Sequence, residues 1–149
     1  RRIMKMEWLS PAVSVRVIDG DSVVFDIDCG YDIWMRNTSV RLFGVDTSET
    51  RGGTPELKAL GVLAKEFVAD RLEAGTEVLL RTYLDRGKFG RVLADVYLPN
   101  GSGEDFQDTS LNEMLLDECL AVQYFGQSKE DIVNQHLIHV EHWKAKGRI

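Results

Sequence analysis

Valines at 13, 15 and 17 alternate with Ser14 and Arg16, and beyond Asp19-Gly20-Asp21-Ser22 the alternation resumes with Val23, Phe25 and Ile27 against Val24, Asp26 and Asp28. A period of two belongs to half-buried strands, and the tight turn between the two runs predicts a hairpin at the head of the chain. A third extended stretch covers Ile33 to Val45, with a break expected near Asn37-Thr38-Ser39. Glu77 to Leu84 and Arg91 to Leu98 read as two more strands on either side of a turn-like 85–90 segment.

Helical periodicity enters only after the third strand. Leu60, Leu63, Ala64, Phe67, Val68 and Leu72 recur at intervals of three and four, one stripe of an amphipathic helix, with Gly75 read as its C-terminal glycine. Ser110-Leu111-Asn112-Glu113 has the capping-box pattern of a short helix, and Ser128 precedes a longer one whose apolar stripe is read as Val133, Leu137 and Val140, ending near Trp143. Pro99 to Asp108 has loop composition. Five short strands, one helix after the third and two at the end predict a small α+β protein, a five-stranded β-barrel covered by three helices. At 149 residues the chain is expected to form a single domain, with its core over about 12–143 and 1–11 as an N-terminal extension.

Composition narrows the partners. No apolar run approaches the ~20 residues of a membrane span, so no membrane role is expected. Residues 1–8 lack the features of a signal peptide; a chain beginning with Arg reads as trimmed, and the compartment is left open. The net charge of −6 disfavours a general nucleic-acid binder, but residues 81–91 set four cations against one aspartate, a local +3. Cys29 and Cys119 are too few for a disulfide-stapled scaffold, and whether they pair is not read here.

The acids of most interest are Asp21, at a strand start, and Asp46 and Glu49, leaving the end of the third strand. Aspartates suit a hard divalent cation, and a glutamate can hold a water and take its proton. Arg41 and Arg91 are phosphate-clamp candidates, because a planar guanidinium meets two phosphoryl oxygens at once. Any one of these residues alone reads as an ordinary solvated side chain.

Val17 to Ser22, Val40-Arg41-Leu42-Phe43-Gly44-Val45-Asp46-Thr47-Ser48-Glu49, and Asp85 to Arg91 with Lys88-Phe89-Gly90-Arg91 together resemble the staphylococcal (micrococcal) nuclease or thermonuclease family. Leu111-Asn112-Glu113, Leu120-Ala121 and Tyr124 extend the likeness. The resemblance implies an OB-fold barrel and a Ca²⁺-dependent phosphodiesterase, acting as endo- and exonuclease on DNA and RNA and leaving 3′-phosphate ends. It places the metal ligands on Asp21, Asp46 and the Thr47 carbonyl, with Asp19 in the outer shell. Catalysis falls on Glu49, Arg41 and Arg91, and substrate contacts fall on Lys88, Phe89 and Tyr124, in a chain expected to be monomeric. The alternative is an OB-fold nucleic-acid or protein-binding module without strong catalysis.

Three departures from the family pattern stand out. Ser48 replaces the usual proline, which predicts a less restrained loop under Glu49, and Phe89 replaces a tyrosine. Tyr124 aligns only after a one-residue shift. His136, His139 and His142 are read as helix-surface residues, because successive steps of three rotate by about 60° and carry the imidazoles away from a common point. Trp8, Trp34 and Trp143 are assigned to packing.

Overall fold

The computed structural model describes residues 7–83, 91–101 and 105–149. Strands β1 (Glu7–Asp19), β2 (Ser22–Asp28) and β3 (Trp34–Leu42) form an antiparallel meander. A short β4 (Val45–Thr47) and helix α1 (Pro55–Arg71) follow, then β5 (Glu77–Tyr83) and β6 (Val92–Tyr97). Helix α2 (Leu111–Asp117), β7 (Ala121–Gln123) and α3 (Lys129–Ala145) complete the chain. The strands close in the order β1-β2-β3-β6-β5, with β3 and β6 parallel, into the five-stranded α+β barrel of an OB-fold.

Val23, Phe25, Val40, Leu42, Val78, Leu80, Ala94 and Val96 fill the barrel, and Leu60, Ala64 and Val68 of α1 close it from outside. Nucleation of each helix follows a side-chain cap that satisfies an otherwise orphaned amide. The hydroxyls of Thr54, Ser110 and Ser128 accept from the backbone N–H of Leu57, Glu113 and Asp131.

Three local expectations change. On β1 the buried positions are Ala12 and Ser14, and a register shift between Ser14 and Arg16 turns Val17 back toward the core, so Val13, Val15 and Val17 do not share one inward face. A bulge adds one residue and inverts the phase of a period-two pattern. The third stretch divides not at residues 37–39 but at Phe43-Gly44, where Gly44 has φ +75°, and the split creates β4, which pairs with β7 in a separate two-stranded sheet. β3 instead runs through 37–39 with an irregularity, Asn37 at φ 47°. Helix α1 ends at Arg71 with Leu72 as its cap, and Gly75 serves the following turn, donating to the Ser14 carbonyl. Both cysteines are free thiols.

Candidate active site

The turn between β1 and β2 carries Asp21 into the gap where β3 ends. Register pairs Ser22 with Arg41, and the Leu42 N–H donates to the Asp21 carbonyl at 2.9 Å. Asp21 is buried, and its Oδ2 accepts from Arg41 Nη1 at 2.9 Å and from the Thr47 N–H at 3.2 Å. The other guanidinium nitrogen, Nη2, donates to the Val45 carbonyl at 3.2 Å and to Asp46 Oδ1 at 3.4 Å. One arginine therefore holds both aspartates. Burial by itself would lower the pKa of Arg41, but the charges and hydrogen bonds of Asp21 and Asp46 outweigh it and raise the pKa above the usual arginine value.

Two glycines let α1 press on this segment. A Cβ at Gly20 would lie 2.8 Å from Ala64 Cβ and 2.9 Å from Thr47 Cγ2, and one at Gly61 would lie 2.5 Å from the carbonyl oxygens of both Ser48 and Glu49. Only glycine permits such an approach. Ser48, where a less restrained loop is expected, is buried, and its Oγ donates to the Leu57 carbonyl at 2.7 Å, so a hydrogen bond to α1 restrains the backbone. The Glu49 side chain is exposed and makes no hydrogen bond among the described residues. Asp19 is tied to Thr50, whose Oγ1 donates to Asp19 Oδ1 at 2.9 Å.

Arg91 enters from the start of β6, its Nη1 donating to Ser22 Oγ at 3.4 Å. Asp19, Asp21, Ser22, Arg41, Asp46, Thr47, Ser48, Glu49 and Arg91 line one cavity of about 210 Å³. Every metal and catalytic candidate of the sequence reading is thus at one place. Tyr124 stands beside them, its ring centroid 5.6 Å from the Arg41 guanidinium and its N–H donating to the Gly44 carbonyl at 2.8 Å. Lys88 and Phe89 lie outside the described residues.

One residue of the site is misread in the sequence. His136 is buried rather than on the helix surface, and its Nε2 lies 2.9 Å from Asp46 Oδ2. A signal for it was present: Val133, His136, Val140 and Trp143, at intervals of three, four and three, make a helical stripe, and His136, Val140 and Trp143 are its buried members. Leu137, assigned to the apolar stripe, is 39% exposed.

A family model for staphylococcal nuclease homologues matches residues 39–148, a span that carries Arg41, Asp46, Glu49 and Arg91 and begins after Asp21. A thermonuclease from Staphylococcus intermedius is 40% identical over 86 residues, 56% of this chain and 46% of that protein, so the match spans about half the relative's length. With the family model matching well over half of the chain, and with the barrel and cavity arranged as described, the chain belongs to the staphylococcal nuclease homologue family.

Proposed function

We propose that this chain is a Ca²⁺-dependent phosphodiesterase that hydrolyses DNA and RNA by in-line attack of water and leaves 3′-phosphate ends. The observation that carries the reading is the single cavity shared by Asp21, Arg41, Asp46, Glu49 and Arg91. Its four carboxylates, with Asp19 included, face two guanidiniums, a formal −2 that repels a phosphodiester. A divalent cation bound there would offset that charge.

The donors fit such a cation. All are hard oxygens, the kind Ca²⁺ takes from carboxylates, carbonyls and water. Asp21, Asp46 and the Thr47 carbonyl would hold the cation, with Asp19 further out and water completing the shell; among the described residues no three His, Cys, Asp or Glu side chains form a ready cluster. When bound, Ca²⁺ supplies positive charge against the charge that develops on the phosphoryl oxygens.

The chain's own groups do the rest. Glu49, exposed and without a hydrogen-bond partner among the described residues, orients the attacking water and accepts its proton as the water oxygen bonds to phosphorus and the bond from phosphorus to the 5′ oxygen breaks. Arg41 and Arg91 stabilise the equatorial oxygens. Tyr124, at the Arg41 edge, contacts the nucleotide, as do Lys88 and Phe89.

Digestion of single-stranded DNA and of RNA, with Ca²⁺ and with a chelator, tests the reading. Chelation should abolish cutting; Glu49→Gln should lower the rate by about 10²–10⁴, and Arg41→Ala by about 10²–10³. Cutting that survives chelation overturns it. Nucleic-acid binding without cutting would make the chain a binding module.

A further inference from the structure

Resting on the cation reading above, we propose that His136 is a positioning residue for the cation ligand Asp46, and that it makes α3 part of the metal site. His136 lies 90 positions from Asp46 in sequence, yet its Nε2 is 2.9 Å from Asp46 Oδ2, and its side chain is only 4% exposed. The imidazole Nδ1 is also buried and has no hydrogen-bond partner among the described residues. An ionised carboxylate only accepts, so the contact is Nε2–H donating to Asp46 Oδ2.

The consequence falls on the geometry of Asp46. That carboxylate is 26% exposed, more open than Asp21, and without a tether its rotamers are free to turn away from the cavity. Arg41 Nη2 reaches Oδ1 at 3.4 Å, a long bond from a residue also engaged by Asp21 and the Val45 carbonyl. The contact from His136 to Oδ2 is the shorter of the two and comes from α3 rather than β3, so donors on two different elements hold the two carboxylate oxygens. Each carboxylate oxygen has more than one lone pair, and one hydrogen bond on each leaves capacity to ligate a cation. Residues that orient a ligand from behind typically govern metal affinity by about 10–100-fold.

His136 is held for this role by its own neighbours. Val140 and Trp143 bury the same face of α3, and Trp143 Nε1 donates to the Cys119 carbonyl at 3.0 Å, anchoring the helix independently of Asp46. His136 also forms part of the wall of a second cavity of about 240 Å³, which shares Asp46, Thr47, Ser48 and Glu49 with the first and is lined elsewhere by Leu57, Ile132 and Val133 together with the cation Lys129.

The test measures Ca²⁺ affinity by calorimetric titration of the wild-type chain, His136→Leu and His136→Gln, with circular dichroism and thermal melting to verify folding. Leu fills similar volume without a donor, whereas Gln presents an amide N–H at about the reach of Nε2. His136→Leu should weaken Ca²⁺ binding by about 10–100-fold, and His136→Gln should restore most of it. Equal affinity in wild type and His136→Leu overturns the positioning role alone. Equal loss in Leu and Gln also overturns it, since helix packing would then be the cause. A wild-type chain that binds no Ca²⁺ overturns the cation reading itself, and the role of His136 with it. If His136→Leu does not fold, the comparison of wild type with His136→Gln and a donor-free His136→Met decides in the same way.

Discussion

Asn112 shows how much one buried amide can hold. Its Oδ1 accepts from the Val96 N–H at 3.1 Å, while Nδ2 donates to the carbonyls of Phe43 at 2.9 Å and Ala94 at 3.1 Å and lies 3.3 Å from Asp95 Oδ1. It fastens α2 to β6 and to the turn after β3, next to Arg41. Asn112→Leu keeps the volume but orphans the Val96 amide and the Phe43 carbonyl, and each orphan costs about 1–3 kcal/mol. Urea denaturation should therefore show a loss of about 2–6 kcal/mol. Nothing local in Ser110-Leu111-Asn112-Glu113 marks Asn112 as buried, because a polar residue in the first turn of a capped helix usually faces water. His136 is misread as a surface residue for a related reason: a histidine on an apolar stripe takes its meaning from its partner, and Asp46 is 90 positions away.

Among the elements, α1 bears most directly on the site. Ala is the better helix former by about 1 kcal/mol, but a Cβ at Gly61 would meet the Ser48 and Glu49 carbonyl oxygens at 2.5 Å, and backbone cannot rotate out of the way as a side chain can. Gly61→Ala should destabilise the protein by about 1–3 kcal/mol and lower the rate of the proposed phosphodiester cleavage more than that loss explains, since Glu49 rides on the displaced segment; thermal melts and initial rates on the same preparation separate the two effects. Helix α3 carries a pH response. The pKa of His139 is lowered, first by burial and then by the charges of His136 and His142. The unfolded chain binds this proton near 6.5 while the folded chain resists it, so the unfolded state holds more protons between that value and the depressed folded one. Stability is full above about pH 6.5, falls as pH drops through that window, and levels below it. Melting curves from pH 7.5 to 5 should show the decline, and His139→Gln should flatten it.

At the scale of the whole molecule, a chain of net charge −6 places the proposed cation site where two strand ends, a helix and a turn converge. A ligand that binds only the folded state stabilises it, by about 2.7 kcal/mol at one hundred times Kd. Saturating Ca²⁺ should accordingly raise Tm by about 5–10 °C over chelator, and Asp21→Asn should lose most of that rise. Among the described residues no helix is long and apolar enough to cross a membrane. What the amino-acid order determined alone was local: strand and helix periods, the caps at Ser110 and Ser128, and the run from Arg41 to Glu49, because side-chain alternation and hydrogen bonds over three residues need no distant partner. Tertiary structure decided the rest. The bulge that inverts β1, the pairing of β4 with β7, the glycine contacts under Glu49 and the pairing of His136 with Asp46 all depend on which surfaces meet after closure of the barrel, and a contact energy between residues far apart in the chain leaves no periodic trace in either segment.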